Sequence, residues 1–146
     1  MKSYYPKSLS ELKNILKDHT PGIFFGSRTS TVIPGELALE KMAHIYLGEL
    51  EKRIEIKKNS VVITGPVTWE ELHRELQFDQ QALFPSPTDW TAQVLASLST
   101  SASGEMNFSK GNLRDKVYRI KYLDFNGDEK VLSSGQSLNI DHPRLS

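Results

Sequence analysis

The chain has 146 residues, of which 38% are hydrophobic and 25% charged, as is typical of one soluble globular domain with its own core. Eighteen basic residues balance eighteen acidic ones, so no net field favours nucleic acid or an anionic membrane. The chain has no cysteine, which excludes disulfides, thiolate metal sites and cysteine nucleophiles. The N-terminus lacks the apolar core of a signal peptide, and no apolar run nears the roughly 20 residues that span a bilayer. We therefore expect a cytoplasmic, soluble protein.

The first elements are a helix, a strand and a polar loop. Ser8 and Glu11 form an S-x-x-E capping box, and leucines then recur at helical spacing. Ile23-Phe24-Phe25 predicts a short buried strand that runs into the loop "GSRTS". The segment 36–50 is ambiguous. If it is helical, one face carries Leu39, Met42, Tyr46 and Leu50.

A hairpin and a second helix come next. Residues 53–56 and 61–63 predict two strands, with Asn59 at the turn between them. Thr68 and Glu71 form another capping box at the start of a helix, on which His73 is expected to be solvated.

The last part predicts a short helix and a second hairpin. Val94, Leu95 and Leu98 suggest the helix. Tyr118, Ile120 and Tyr122 alternate as a strand. Asn126-Gly127 is a two-residue hairpin signal, and Val131-Leu132 is the returning strand.

The loop from Gly26 to Ser30 has two interpretations on these residues alone. Glycine allows close approach of the backbone, successive N–H groups can form an anion nest, and Arg28 adds a permanent cation. The same residues are common in plain turns. The small-residue stretch 99–104 also has two interpretations, as a contact with a ligand or as a surface loop. The four histidines show no metal-ligand spacing, and no residue is assigned as catalytic.

The order of these features resembles a known family. The pieces are "GSRTS", "VVITGPVTWEEL", "FPSP" and "SASGEMNFSKGNLRDKVYRIKYLDFNGDEKVL", of which "GPVTWEEL" and "GNLRDKV" are the most specific. Over residues 4–133 they resemble the FAD-binding domain of the vanillyl-alcohol oxidase and p-cresol methylhydroxylase (PCMH) type, and most of all the FAD-binding subunit of glycolate oxidase. The resemblance implies a PCMH-type α+β fold of two small α+β subdomains, at about 1–66 and 67–133, with a tail at 134–146.

The resemblance also implies a site for FAD. The diphosphate would lie on the first loop, formed by Gly26, Ser27, Arg28, Thr29 and Ser30. Further cofactor contacts would come from Pro85, Gln93, Val94, Leu95, Ser103, Gly104 and Gly111. The first loop has neither histidine nor cysteine, so non-covalent binding is expected.

Three departures from the family pattern keep three functional hypotheses open. Ser27 and Arg28 stand where the family has glycines, and residues 93–96, "QVLA", stand where it reads Thr-Ile-Gly-Gly. The last glycine-rich strand and the substrate-binding cap domain are expected to be missing after Gln136. One hypothesis is an FAD-binding subunit or domain of a flavin-dependent oxidoreductase, similar to 2-hydroxy-acid oxidases and dehydrogenases, with a substrate-domain or iron–sulfur partner subunit. The alternative is a degenerate, non-catalytic relative that has lost FAD and acts as an interaction module. A weaker third hypothesis is a small nucleotide or anion binder.

Overall fold

A computed structural model describes residues 2–18, 22–28, 40–79, 88–100 and 111–133. The strands are β1 (Ser3–Tyr4), β2 (Gly22–Phe25), β3 (Ala43–Tyr46), β4 (Arg53–Lys57), β5 (Ser60–Thr64), β6 (Arg119–Leu123) and β7 (Glu129–Ser133). The α-helices are α1 (Leu9–Lys17), α2 (Trp69–Phe78) and α3 (Val94–Ser99), and short 3-10 helices cover Leu47–Glu49 and Leu113–Lys116. Helices and strands are mixed along the chain, which confirms the predicted α+β class.

The first three strands form a parallel sheet in the order β1-β3-β2. Its central strand, β3, falls inside the ambiguous segment 36–50, so the helical interpretation of Tyr46 is wrong. Ala43, His44 and Ile45 are buried, at 5%, 7% and 1% exposure. A strand with neighbours on both sides and covered faces lacks the polar–apolar alternation that identifies a half-exposed strand.

Strand β2 forms where it was predicted, but it is less buried than expected. Among the strands of the described residues it lies at the edge of the sheet and pairs with β3 alone. Phe24 is consequently 47% exposed.

Both predicted capping boxes mark helix starts. At α1, the Ser8 hydroxyl accepts a hydrogen bond from the Glu11 N–H at 3.2 Å, while the Glu11 carboxylate accepts from the N–H of Lys7 at 2.8 Å. At α2 the box is reciprocal between Thr68 and Glu71. A side chain that accepts from the first free N–H groups of a helix fixes where the helix begins.

The main core lies between α2, α3 and the β4–β5 hairpin. Its buried members are Val67, Trp69, Leu72, Leu76, Val94 and Leu113. The apolar side chains of the hairpin pack against them, namely Ile54, Ile56, Val61 and Ile63. The helices and the hairpin form where they were predicted, with Lys58 and Asn59 at the turn. The division of the chain at residue 66 stays a prediction.

The β6–β7 hairpin has a longer loop than the predicted two-residue turn. The loop runs from residue 124 to 128, and the Asp124 carboxylate accepts from the N–H groups of Asn126 and Asp128, both at 2.9 Å. Gly127 is left-handed, with φ of 76°, and donates to the Asp124 carbonyl at 3.0 Å. An aspartate side chain that accepts from backbone N–H groups two and four residues later stabilises a loop longer than a two-residue turn. Tyr118 lies outside the strand and is 67% exposed.

Two contacts attach this hairpin to α1. A Cβ placed on Gly127 would lie 2.9 Å from the Lys13 carbonyl oxygen, so only glycine allows this close approach. The Glu129 carboxylate pairs with both Lys13 and Lys121, each with an N···O distance of 2.5 Å. These two lysines lower the pKa of Glu129 from 4.5 to about 2.

We expect Glu129 to make folding stability depend on pH in the acid range. A carboxyl whose pKa is depressed in the folded state stabilises the fold above its unfolded pKa, and that contribution is lost as pH falls through the folded pKa. Thermal unfolding of the wild type should therefore lose stability between about pH 4.5 and 2. Glu129→Gln should flatten this part of the profile, whereas Glu75→Gln, on the exposed side of α2, should leave it unchanged. Identical slopes for wild type and Glu129→Gln would contradict the assignment.

Within the described ranges, no helix is long and apolar enough to cross a membrane. The same residues contain no group of three or more His, Asp or Glu side chains that could hold a metal ion.

Candidate functional site

The loop at Gly26-Ser27-Arg28 begins where β2 ends, at the carboxyl edge of the parallel sheet. The neighbouring strand β3 ends at the same edge and turns into the 3-10 helix Leu47–Glu49. Ligands of open parallel sheets bind beyond the carboxyl ends of the strands. The fold therefore places this loop in a position that suits ligand binding.

Gly26 and Gln93 lie against each other, although they are far apart along the chain. A Cβ placed on Gly26 would be 3.0 Å from Oε1 of Gln93 and 3.6 Å from the Ala96 Cβ. The two stretches that the family resemblance implied as cofactor contacts thus meet in the fold. A side chain at position 26 would have to displace the Gln93 carboxamide.

Backbone hydrogen bonds fix Gln93 in this place. The segment before α3 runs beside the start of α2, with Trp69 N–H donating to the Ala92 carbonyl at 3.0 Å and Val94 N–H donating to the Val67 carbonyl at 2.9 Å. The Trp69 indole N–H donates to the Ser97 hydroxyl at 3.0 Å, inside the core. Gln93 itself is only 8% exposed. Its carboxamide is a buried polar group that lies against the first loop.

Arg28 adopts a backbone conformation that favours glycine. Its φ is 57°, and it is the non-glycine residue with positive φ among those described. The left-handed conformation costs a residue with a side chain about 1–2 kcal/mol. The loop therefore keeps the backbone path of a glycine while it carries an arginine side chain.

The Arg28 guanidinium lies over two aromatic rings. Its central carbon is 4.6 Å from the ring centroid of Tyr46 and 5.4 Å from that of Phe25. Both distances are within the range of cation–π attraction. None of the ion pairs among the described residues includes Arg28, whose side chain is exposed.

These rings belong to an aromatic row across the sheet, formed by Tyr5, Tyr46 and Phe25. Tyr46 stacks on Tyr5 with centroids 4.7 Å apart and on Phe25 with centroids 5.0 Å apart. The register pairs Phe25 with Tyr46, which sets them side by side on one face. Tyr5 and Tyr46 were not predicted as site residues, because only the strand register places Tyr46 beside Phe25 and only a ring contact places Tyr5, which follows β1, beside Tyr46.

The other predicted site residues lie in different surroundings, and their contact with a cofactor stays a prediction. Ser27 is exposed beside Arg28, Val94 is buried in the core, and Leu95 is 42% exposed. Gly111 is left-handed, with φ of 78°, just before the 3-10 helix Leu113–Lys116. A Cβ there would lie 3.1 Å from an Asp115 carboxylate oxygen. The positive φ and this close approach both favour glycine at position 111. The residues outside the described ranges are Thr29, Ser30, Pro85, Ser103 and Gly104.

The histidines do not form a site in the described part of the chain. His44 lies in β3, with its Nδ1 at 3.3 Å from the Tyr46 hydroxyl. His73 is half-buried rather than fully solvated. It contacts the Trp90 ring at a centroid distance of 4.9 Å and the Gln77 side chain at 3.0 Å.

The donor set of this site fits a diphosphate. It combines a cation at Arg28, a hydroxyl at Ser27 and a glycine that brings the backbone close at Gly26, whereas the Gln93 atom that faces the loop is the acceptor Oε1. Phosphate oxygens accept from such donors, and arginine suits them best because its N–H groups lie in one plane. Fold and site together fit a domain of the nucleotide-binding class, with the loop from Gly26 to Arg28 at the edge of a small parallel sheet.

Comparison with known proteins identifies the family. The model of the FAD binding domain family matches residues 3–133, and the chain belongs to that family. It is an FAD-binding domain of PCMH type, as found in flavin-dependent oxidoreductases, and FAD is the cofactor that such domains bind. A search of curated proteins gave no match.

Solved structures share the fold at low sequence identity. Glucooligosaccharide oxidase from Acremonium strictum superposes with a TM-score of 0.72 at 13% identity, over 90% of this chain and 29% of the oxidase. Alkyldihydroxyacetonephosphate synthase gives 0.73 at 18% identity, over 97% and 28% of the two chains. Aclacinomycin oxidoreductase gives 0.69 at 13%, over 91% and 29%. The chain thus spans less than a third of the length of these proteins. The predicted closeness to the glycolate oxidase subunit stays a prediction.

Proposed function

We propose that this domain binds FAD non-covalently and serves as the flavin-carrying part of an oxidoreductase. The observation that carries the proposal is the meeting of the Gly26 loop with Gln93, with the Arg28 cation on the same loop. In this arrangement Arg28 and the N–H groups of the loop hold the diphosphate. Non-covalent attachment is supported by composition. Glucooligosaccharide oxidase carries 6-S-cysteinyl, 8α-N1-histidyl FAD, and this chain has no cysteine to form the first of those bonds.

Bound FAD would supply the redox chemistry, while the chain's own residues bind and orient it. Substrate contacts would come from another domain or from a partner subunit, since the neighbours are more than three times as long as the matched region. A substrate of the 2-hydroxy-acid class and an iron–sulfur partner are the proposals that the glycolate oxidase resemblance supports. We also propose a cytoplasmic location, which a chain without cysteine fits.

A titration of the purified domain with FAD tests this proposal. We expect quenching of flavin fluorescence with saturation, and a rise in unfolding temperature, because a ligand that binds only the folded state stabilises it. Riboflavin, which lacks the diphosphate, should bind more weakly and serves as the matched control. A domain that neither quenches FAD fluorescence nor shifts its unfolding temperature would refute the proposal.

The second candidate is a family member that has lost FAD and acts as an interaction module. It is favoured by the side chains beside Gly26, where the Gln93 carboxamide and the Ala96 methyl occupy space that the family pattern leaves to smaller residues. The triple variant Gln93→Thr, Leu95→Gly, Ala96→Gly restores that pattern. If this candidate is right, the wild type does not bind FAD and the restored variant gains binding.

A further inference from the structure

We propose that Tyr46 is a positioning residue for FAD binding. Its ring holds the guanidinium of Arg28, and Arg28 in turn binds the FAD diphosphate. The inference rests on the proposed function, and it assigns a role to a side chain that does not itself contact the cofactor. It concerns an arginine at a position where the family pattern has glycine.

The geometry gives Arg28 a defined place. Tyr46 ends β3, and its register partner Phe25 ends β2 directly before the loop. The guanidinium lies over both rings, 4.6 Å from the centroid of Tyr46 and 5.4 Å from that of Phe25. Two rings under one cation restrict a long side chain that would otherwise sample many rotamers in solvent.

The aromatic row is itself braced, so it can act as a platform. Tyr5 stacks on Tyr46 at an interplanar angle of 10°, and Phe25 does so at 19°. The Tyr46 hydroxyl lies 3.3 Å from Nδ1 of the buried His44. These contacts fix the ring plane without help from Arg28.

Contact with a ring leaves the N–H groups of the guanidinium able to donate hydrogen bonds to a ligand. The guanidinium is attracted as a cation to the face of an aromatic ring, whereas its five N–H groups donate to oxygen partners in the plane of the group. Arg28 forms no ion pair with a carboxylate among the described residues. The cation is therefore held in place but is still able to donate to phosphate oxygens.

The left-handed backbone at Arg28 accompanies this placement of its side chain over the row, with φ of 57°. A side chain in this conformation is retained only where surrounding contacts compensate its cost, and the two rings supply such contacts. A pre-positioned arginine loses less conformational freedom when it binds, so the row raises affinity without contacting the ligand.

A double-mutant cycle on the intact chain tests this role. FAD and ADP affinities are measured for wild type, Arg28→Ala, Tyr46→Leu and the double variant. We expect Arg28→Ala to weaken both ligands about tenfold or more and Tyr46→Leu to weaken them about threefold to tenfold, with Tyr46→Leu adding nothing in the Arg28→Ala background. Riboflavin affinity should stay unchanged in all four. Tyr118→Leu, at an exposed tyrosine outside the sheet, is the matched control and should bind as the wild type does.

The conservative variant Tyr46→Phe separates the role of the ring from that of the hydroxyl. It also keeps the proposal testable if Tyr46→Leu fails to fold. It keeps the ring, so it should keep the affinity for FAD. Additive losses from Arg28→Ala and Tyr46→Leu, or a loss of affinity in Tyr46→Phe equal to that in Tyr46→Leu, would overturn the positioning role. A wild type that binds no FAD overturns the proposed function, and the positioning role with it. That result is distinguishable, since failure of the positioning role alone leaves wild-type binding intact.

Discussion

Replacing Arg28 by glycine is expected to weaken FAD binding about tenfold or more while leaving the fold nearly as stable as the wild type. A hydrogen bond to a charged group contributes about 1.5–3 kcal/mol, and at this exposed position we expect the lower end. The same change relieves the left-handed backbone, at φ of 57°, which only glycine adopts without cost. Loss of the contact with Tyr46 and Phe25 offsets that relief.

Arg28→Ala is the variant that separates the two effects. It removes the cation but keeps a side chain in the left-handed conformation, so it should be about 1 kcal/mol less stable than Arg28→Gly. Both variants should lose the same FAD affinity. Urea unfolding gives the stabilities and fluorescence titration gives the affinities. Arg53→Ala, at an exposed arginine in the β4–β5 hairpin, controls for loss of a positive charge. Tighter FAD binding by Arg28→Gly would show that the arginine obstructs the cofactor.

Gly65→Ala is expected to be the most destabilising single methyl addition in the described part of the chain. Gly65 is left-handed, with φ of 74°, and a Cβ there would lie 2.1 Å from the Glu51 carbonyl oxygen. No rotamer change can relieve that overlap, because the backbone fixes the position of Cβ and the Glu51 oxygen is itself a backbone atom. We expect a loss of about 3 kcal/mol or more, measured by urea unfolding.

The same substitution should also disturb the predicted cofactor site. Val67 N–H donates to the Gly65 carbonyl at 2.9 Å, and the Val67 carbonyl accepts from Val94, next to Gln93. A shift at Gly65 therefore moves the segment that faces Gly26. Gly48→Ala is the matched control, since no atom lies within 4 Å of its Cβ position. That variant should change stability by less than about 0.5 kcal/mol. Equal stabilities of the two variants would contradict this account of Gly65.

Local chemistry explains why several elements could be predicted from the sequence. The helix starts at Ser8 and Thr68 depend on residues three positions apart, so the sequence contains all that is needed to place them. The β4–β5 hairpin follows from alternation around a polar turn. The Asn126-Gly127 signal located a real turn, but Asp124 lengthened its loop by accepting from two backbone N–H groups.

Strand β3 was not predicted, because its apolar run satisfies a helix and a buried strand equally well. Hydrogen bonding to β1 and β2 decides between them, and those strands lie far away along the chain. The exposure of Phe24 was not predicted for a similar reason. It depends on the position of β2 at the edge of the sheet, which the local sequence does not specify.

The class of domain, the order of most of its elements and the position of the first loop can be inferred from the amino-acid sequence. They depend on motifs whose parts are close together, and on a family pattern that covers residues 3–133. The surroundings of the loop, in contrast, follow from tertiary contacts. Strand register sets Tyr46 beside Phe25, which gives Arg28 its aromatic row, and backbone pairing between α2 and the start of α3 brings Gln93 to Gly26. Both are contacts between residues distant in sequence, and packing rather than local propensity determines them.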